Sequence, residues 1–446
     1  MIDLTIHKKQ LARTVRRARE KNIIIPTFAE MKNPRLISDG IKDRLKKIGL
    51  WDINSTNLFR ISWKNEPFPK GGLYDGVNFI ELPPQLTGIK ARIIALVGKW
   101  FPTGSHKVGA TFGCLVPRLV TGQFDPTVDK AVWPSTGNYC RGGAYNAELL
   151  SCDSIAILPE GMSKERFSWL SKVAGEVIGT PGSESNVKEI FDKSRELQKT
   201  RDNVVVFNQF DEFGNHLFHY EVTGHAMEEV LNQVMQTKDR FKGIVLTSGS
   251  SGTLGCGDYL KQIYPQSKIA VGEALQCPTL LSNGFGAHRI EGIGDKHVPW
   301  IHHIKNTDMV IAIDDRDTMS VLRLLNEPKG KQFLLEEAGV PGHFIENIAL
   351  LGISSIANMI GAIKFARYYE LDQNDIILTI FTDSMELYQS RIKEMRKIKP
   401  LYQYTDAAIA FHRHLRGLST DAMEEINYIS KKRIEHLQSN RWVEHQ

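Results

Sequence analysis

Three turns rich in glycine and hydroxyl residues carry most of the chemistry legible in this chain. In FKGIVLTSGSSGTLGCGDYL, glycines at 249, 252 and 255 alternate with Ser250, Ser251 and Thr253 between a β-branched run and a helical pattern. Glycines let the backbone approach a ligand, hydroxyls add donors, and the first N–H groups of the following helix lack intrahelical acceptors, so the turn suits a phosphate. It lacks the Gly-Lys-Ser/Thr ending of a P-loop and the G-x-G-x-x-G spacing of a dinucleotide fold, which suggests a phosphorylated cofactor. In KWFPTGSHKVGATFG, Thr103, Gly104 and Ser105 lead into a helix opened by Lys107. An amine held near a helix's positive end and against an apolar wall loses ammonium character and gains reactivity toward an aldehyde. In WPSTGNYCRGGAYNAELL, Ser135, Thr136, Gly137 and Asn138 form another strand-to-helix turn, where clustered donors bind a carboxylate. Taken alone, each turn also has a plain structural reading: a tight connection, a helix-start lysine, an N-cap.

These turns need strands and helices to aim them. From about residue 91 the chain alternates short β-branched runs (ARIIALVG, DSIAILPE, NVVVFNQF, FKGIVLTS, SKIAVGEAL, DMVIAID, DIILTIF) with amphipathic stretches such as NVKEIFDKSRELQKT and SSIANMIGAIKFARYYEL. Near-continuous apolar strands separated by helices are what a parallel sheet covered on both faces requires, so the expected class is α/β. Upstream, LISDGIKDRLKKIGL has helical periodicity and the Pro/Gly-rich NEPFPKGGLYDG reads as a loop. After Lys399 the strand runs stop, and the remainder reads as one or two helices serving as a solvated appendage, an oligomer contact or a lid.

Composition narrows the partners. The chain has 446 residues, enough for two or three domains at roughly 150 residues each. Lys+Arg exceed Asp+Glu by 56 − 51 = 5 and are scattered rather than striped, which argues against nucleic acid and membrane surfaces. Five widely spaced cysteines without a CxxC pair favour a reducing compartment and no structural zinc. The histidines at 216, 219, 288, 297, 302 and 303 make neither an HExxH motif nor part of a Cys/His quartet, so no metal is expected. The opening stretch MIDLTIHKKQLARTVRRAREKN has basic residues but no continuous apolar core, and the expectation is a cytoplasmic protein.

Together and in this order, the motifs resemble the cysteine synthase and cystathionine β-synthase family of fold-type II pyridoxal-phosphate enzymes, whose fold is shared with threonine synthase and the tryptophan synthase β chain. PTGSHKVGAT is similar to the family's Schiff-base segment, STGNYCRGG to its substrate-carboxylate loop and GSSGTLG to its cofactor-phosphate loop. NQFDEFGNHLFH, HRIEGIGDKHVP, GISSIANMIGA and IFTDSMELYQS follow in register, so the likeness runs from about residue 91 to residue 390. It implies two doubly wound α/β domains of the tryptophan synthase β and cysteine synthase type, with N- and C-terminal extensions. The expected division is an N-terminal extension over 1–90 partly packed on the larger domain, a mainly smaller domain over 91–215, a larger cofactor-phosphate domain over 216–398 and a helical extension over 399–446. The active site is expected at the carboxyl ends of the strands, in the crevice between the two domains.

The resemblance implies pyridoxal 5'-phosphate as cofactor, a small amino acid as substrate and a homodimer. It implies that Lys107 holds the cofactor as a Schiff base and moves protons at Cα, that Asn138 meets the ring hydroxyl oxygen, and that Gly249, Ser250, Ser251, Gly252 and Thr253 hold the phosphate. Ser135, Thr136, Gly137 and Gln209 would bind the substrate carboxylate, and Gly292 would line the pocket. The His106-Lys107 pair resembles the tryptophan synthase β chain, where the histidine helps neutralise the phosphate; a surface or capping role is the other reading of His106. At the pyridine nitrogen the family usually presents a hydroxyl, whereas the register here presents Asp383, with Thr382 one residue away. An aspartate would favour a protonated ring and a longer-lived quinonoid, while Thr382 would keep the family norm. The implied function is β-elimination or β-replacement on serine, an O-activated serine or a cysteine-like amino acid through an aminoacrylate. A deaminating or desulfhydrating lyase, a racemase, a non-catalytic ligand-binding paralogue and a phosphate- or nucleotide-binding module stay open beside it.

Overall fold

The computed structural model describes residues 2–65, 73–135, 137–162, 164–182, 187–294 and 296–443. Its strands are β1 (Phe79–Leu82), β2 (Arg92–Val97), β3 (Lys130–Pro134), β4 (Asp153–Pro159), β5 (Glu176–Thr180), β6 (Val204–Val206), β7 (Arg240–Thr247), β8 (Lys268–Ala274), β9 (Met309–Ile313), β10 (Asp375–Phe381) and β11 (Met423–Glu425). The chain forms two compact units that interleave along the sequence: one takes residues up to 78, 100–226 and 250–259, the other 79–99, 227–249 and 260 onward.

The first unit is built on a parallel sheet in the order β5-β4-β3-β6. Val132, Ile155 and Ile157 from this sheet bury against Ile190 and Leu197 of the helix Val187–Thr200, which is how an amphipathic crossover covers one sheet face. Residues upstream of 78 belong to this unit rather than to consecutive blocks along the chain. The helix Lys8–Glu20 docks through the His7 N–H, which donates to the Thr121 carbonyl at 2.7 Å, and through Arg17, which donates to the Ser151 carbonyl at 3.3 Å. Further along, the Trp63 indole N–H donates to Thr223 Oγ1 at 3.0 Å.

The second unit is built on a seven-stranded sheet in the order β1-β2-β10-β7-β8-β9-β11. Its central strands are parallel, and β1 and β11 close the two edges in antiparallel pairing. Every residue of β10 is buried, and because successive side chains point to opposite faces, both faces are covered. This is the α/β architecture expected from the apolar runs. Strand pairing explains why residues 79–99 leave the N-terminal segment: β2 aligns beside β10, with Ile94 opposite Leu378, 378 − 94 = 284 residues on, and carries β1 with it. The region after Lys399 differs from expectation in one respect, since β11 lies between its two helices and pairs with β9, placing Met423 opposite Ile311. Among the described residues no helix is long and apolar enough to cross a membrane.

One helix crossing in the first unit sets the position of the lysine. The helices Lys107–Thr121 and Phe213–Phe218 meet at two glycines, and a Cβ at Gly113 would lie 2.2 Å from the Gly214 carbonyl oxygen. Backbone cannot yield to such an overlap as a flexible side chain does, so Gly113→Ala is expected to lower stability by about 1–3 kcal/mol, read as a lower urea midpoint with an unchanged m-value. A midpoint equal to the wild type would show that the helices separate without cost.

Candidate active site

Lys107 is the first residue of its helix, and its backbone N–H faces Ser105 Oγ at 3.4 Å. Its side chain reaches across the unit. Nζ donates to Ser250 Oγ at 2.9 Å and to Gln209 Oε1 at 3.4 Å, which brings together three residues that lie far apart in sequence. Burial of the amine, without a neighbouring carboxylate to hold its charge, pulls its pKa down to about 8. A buried amine with that pKa is a nucleophile at neutral to mildly alkaline pH.

Ser250 and Asn215 join the lysine to the glycine turn. Asn215 Nδ2 donates to Ser250 Oγ and to the Gln209 carbonyl, both at 3.0 Å. Its Oδ1 lies 2.0 Å from the place a Cβ would take at Gly252, so the amide and the turn pack in contact only because residue 252 has no side chain. Ser251 adopts a left-handed conformation, φ 63°, and opens the short turn Gly252–Leu254 that runs into the helix Gly255–Ile263. Ser250, Ser251, Gly252 and Thr253 thus lie in one turn at a helix start, with a weakly basic amine held at its first hydroxyl. These features fit a phosphorylated aldehyde: an anion-binding turn and a depressed amine within one unit.

Asn138 begins the helix Asn138–Leu149, whose Gly142 lies against the backbone of Lys107 and Val108. Ser135 Oγ accepts from the Gly137 N–H at 3.2 Å, so this turn closes on itself as well. Thr136 lies outside the described residues. Gln209, expected as a carboxylate ligand, is buried and accepts from the lysine amine. His106 is not at the surface; it stands at the N-cap position of the lysine helix without a side-chain capping bond. Its ring is buried, stacks on Trp63 at 6.0 Å and 22°, and meets the edge of His219 at 5.1 Å. Burial, and then the proximity of His106 and Lys107, drive the His219 pKa well below its usual value, so His219 is neutral.

In the other unit, Gly249 ends the run from β7, and a Cβ there would lie 2.7 Å from the Gly292 carbonyl oxygen. Gly292 itself has φ +94°, and the space its Cβ would enter is open. The Thr382 and Ser354 hydroxyls are 2.7 Å apart, and Thr382 is half-buried. Asp383 is buried: its Oδ2 accepts from the Tyr388 hydroxyl at 2.6 Å, and its Oδ1 packs on Gly352. Asn215, Ser354 and Tyr388 were given no role by sequence. All three lie inside motif segments, so position within a motif was their only signal. Among the described residues no group of three or more His, Cys, Asp or Glu side chains is placed to hold a metal; His216 lies 3.4 Å from Asp258.

Residues 98–340, more than half of the chain, match the family model described as pyridoxal-phosphate dependent enzyme. The chain belongs to that family. Its cofactor is pyridoxal 5'-phosphate, and it falls in the fold-type II group with cysteine synthase and cystathionine β-synthase. A probable cysteine synthase of Bacillus subtilis is 28% identical over 290 residues, covering 65% of this chain and 85% of that one. Cystathionine β-synthase of Saccharomyces cerevisiae is 25% identical over 73% of this chain, which spans only 62% of the yeast protein. Among solved structures, a hydrogen sulfide-producing enzyme of Fusobacterium nucleatum, in a mutant form with an α-aminoacrylate intermediate, superposes with a TM-score of 0.60 at 25% identity, covering 70% of this chain and 87% of that one.

The depressed amine makes a direct prediction for the cofactor-free protein. Only the neutral amine reacts with an acylating reagent, so labelling of the Lys107 peptide, followed by mass spectrometry, should rise with pH through about 8 and level off above it. Exposed lysines should keep gaining reactivity to about pH 10.4. A Lys107 profile still climbing at that pH would contradict the burial argument.

Proposed function

We propose that the protein eliminates the β-substituent of a serine- or cysteine-type α-amino acid, and replaces it when a thiol or other nucleophile is present. The observation that carries this reading is the 2.9 Å contact between Lys107 Nζ and Ser250 Oγ, which couples a reactive amine to the anion-binding turn. The names of the relatives, cysteine synthase, cystathionine β-synthase and a hydrogen sulfide-producing enzyme, support the same chemistry.

Bound pyridoxal phosphate supplies the electron sink that makes a Cα proton acidic. The protein's part is to bind, orient and move that proton. Lys107 would hold the aldehyde carbon and, once displaced by substrate, take the proton from Cα; an amine with a pKa of about 8 is near neutral pH, where a base is most effective. Ser250, Ser251, Gly252 and Thr253 would hold the phosphate with Gly249 leading into their turn, and Asn138 would meet the ring hydroxyl oxygen. Ser135, Thr136, Gly137 and Gln209 would take the substrate carboxylate, and Gly292 would leave room beside it. His106, buried against Trp63, would support the lysine turn from behind.

For the pyridine nitrogen we favour Thr382 over Asp383. The Asp383 carboxylate is engaged by Tyr388 and packed on Gly352, whereas Thr382 is only half-buried and its hydroxyl pairs with Ser354. A hydroxyl leaves the ring nitrogen unprotonated, which favours loss of the β-substituent over reprotonation at Cα and so argues against a racemase. A homodimer and a cytoplasmic setting belong to the same reading; the five cysteines, all free and buried, support a reducing compartment.

The test is a panel of O-acetylserine, serine, phosphoserine, cysteine and threonine mixed with the purified yellow protein. We expect keto-acid release from at least one three-carbon substrate, thioether or cysteine formation when a thiol or sulfide is added, and loss of both in Lys107→Ala. Turnover retained in Lys107→Ala, or racemisation without elimination, would overturn the proposal.

A further inference from the structure

The helix Tyr428–Val443 lies beyond the matched family region, yet it is tied to a segment that carries one of the motifs. Its start is set by β11: the Ile426 N–H donates to the Asp308 carbonyl at 3.0 Å, and Lys431 Nζ donates to the Lys305 carbonyl at 2.7 Å. From there Ser430, Ile434 and Gln438, four residues apart, bury along one face. Two side chains near that face hold the two ends of a single stretch, residues 280–302. At one end Arg433 donates through Nη2 to the Leu280 carbonyl and through Nη1 to Asn283 Oδ1, both at 2.8 Å. At the other end Gln438 Nε2 donates to the Pro299 carbonyl at 2.6 Å, with the Trp300 and His302 carbonyls at 3.5 Å.

The middle of that stretch is fixed to the sheet. The Gly294 N–H donates to the Ser248 carbonyl at 3.0 Å, and the Gly292 carbonyl lies against Gly249. Leu280 is also held from beneath, where its N–H donates to the Glu273 carboxylate at 2.8 Å. A connection of this length, mostly without regular structure, costs much conformational entropy to order. Several anchors share that cost: the sheet end at the centre, the ion pairs of Arg289 with Asp315 and of Glu291 with Arg391 beside it, and the C-terminal helix at both flanks. The guanidinium and the amide donate mostly to backbone carbonyl oxygens, with the Asn283 side chain as a further acceptor, so the helix chiefly fixes backbone.

We infer that Arg433 and Gln438 are positioning residues that hold the 280–302 stretch, and through it Gly292, at the geometry in which the amino-acid substrate is bound. This rests on the placement of Gly292 beside the substrate under the proposed function. Among the described residues the strap's hydrogen bonds run to backbone and to Asn283, so loosening it is expected to act on substrate binding more than on cofactor attachment.

The variants are Gln438→Met, which keeps length and loses the donors, and Arg433→Met, with Arg433→Lys as the conservative partner. Both measurements use the cofactor-loaded full chain. Hydrogen exchange of peptides spanning 280–302, without substrate, is expected to speed up at least tenfold in the two Met variants and to return most of the way in Arg433→Lys. With the best substrate of the panel, KM is expected to rise about five- to twentyfold with kcat within twofold, at an unchanged visible spectrum. Unchanged exchange in both Met variants would overturn the strap. Faster exchange with unchanged KM would overturn its link to substrate and, separately, the placement of Gly292. If no substrate of the panel reacts, the proposed chemistry fails while the exchange experiment still decides the strap. A variant that loses its cooperative thermal transition is replaced by the other, since the two act at opposite ends of the stretch.

Discussion

An amine buried without a counter-charge is the constraint from which the rest of the site follows. The partners of Lys107 Nζ are a hydroxyl and an amide oxygen, and neither carries the negative charge that would hold an ammonium. A carboxylate in the place of Ser250 would raise the amine's pKa by charge pairing and make it a poorer nucleophile. Water in that place would do the same by solvation. The fold therefore has to deliver, from segments more than 100 residues apart, two neutral oxygens at hydrogen-bond distance and little room besides. Asn215 makes this possible, because its single amide nitrogen fixes both Ser250 Oγ and the backbone of Gln209.

That delivery depends on backbone elements coming closer than side chains usually permit. The lysine helix crosses the helix of Asn215 where Gly113 meets Gly214, and the amide of Asn215 in turn occupies the space that residue 252 leaves by having no Cβ. Lysine, asparagine and glycine turn are thus linked through backbone contacts and one amide, with few rotatable bonds between them. Rigid placement matters for a site that must hold one proton-transfer group at a reacting carbon, since small misplacements are costly in rate. Behind the lysine, the packing is aromatic. Trp63 stacks on His106 and donates to Thr223, which pairs with His219, so the N-terminal segment closes the back of the turn with one indole.

The seven apolar runs that define the class all became strands, because a strand buried on both faces needs little beyond its own composition. Three strands were not legible, and each depends on a partner rather than on itself. β1 (FIEL) and β5 (EVIGT) are only partly buried, and β11 is three residues, two of them acidic, that pair because β9 presents a free edge. The chemistry of the three turns was legible for a similar reason: glycine and hydroxyl spacing acts locally. What was not legible is the direction of side chains after a strand. Beyond β10, sequence register alone favoured the aspartate, with Thr382 one residue away. Tyr388, six residues past Thr382, engages the carboxylate, and that contact supports the proposed choice of the hydroxyl. The aromatic packing of His106 was not legible either, because Trp63 lies 43 residues upstream in a segment whose periodicity gives no hint of it.

The segments upstream of residue 98 and beyond Lys399 lie outside the matched region and brace residues next to the motifs. In the first unit the N-terminal segment supplies Trp63 beneath the residue that precedes the lysine; in the second, the C-terminal helix holds the flanks of the stretch that contains Gly292. Their contribution is to limit how far two motif-bearing pieces of backbone relax, which affects the shape offered to substrate more than the reaction performed on it. A family that shares its cofactor chemistry and differs in substrate would vary in such supporting contacts, because the lysine, the anion-binding turn and their neutral partners leave little freedom to change without losing the reaction itself.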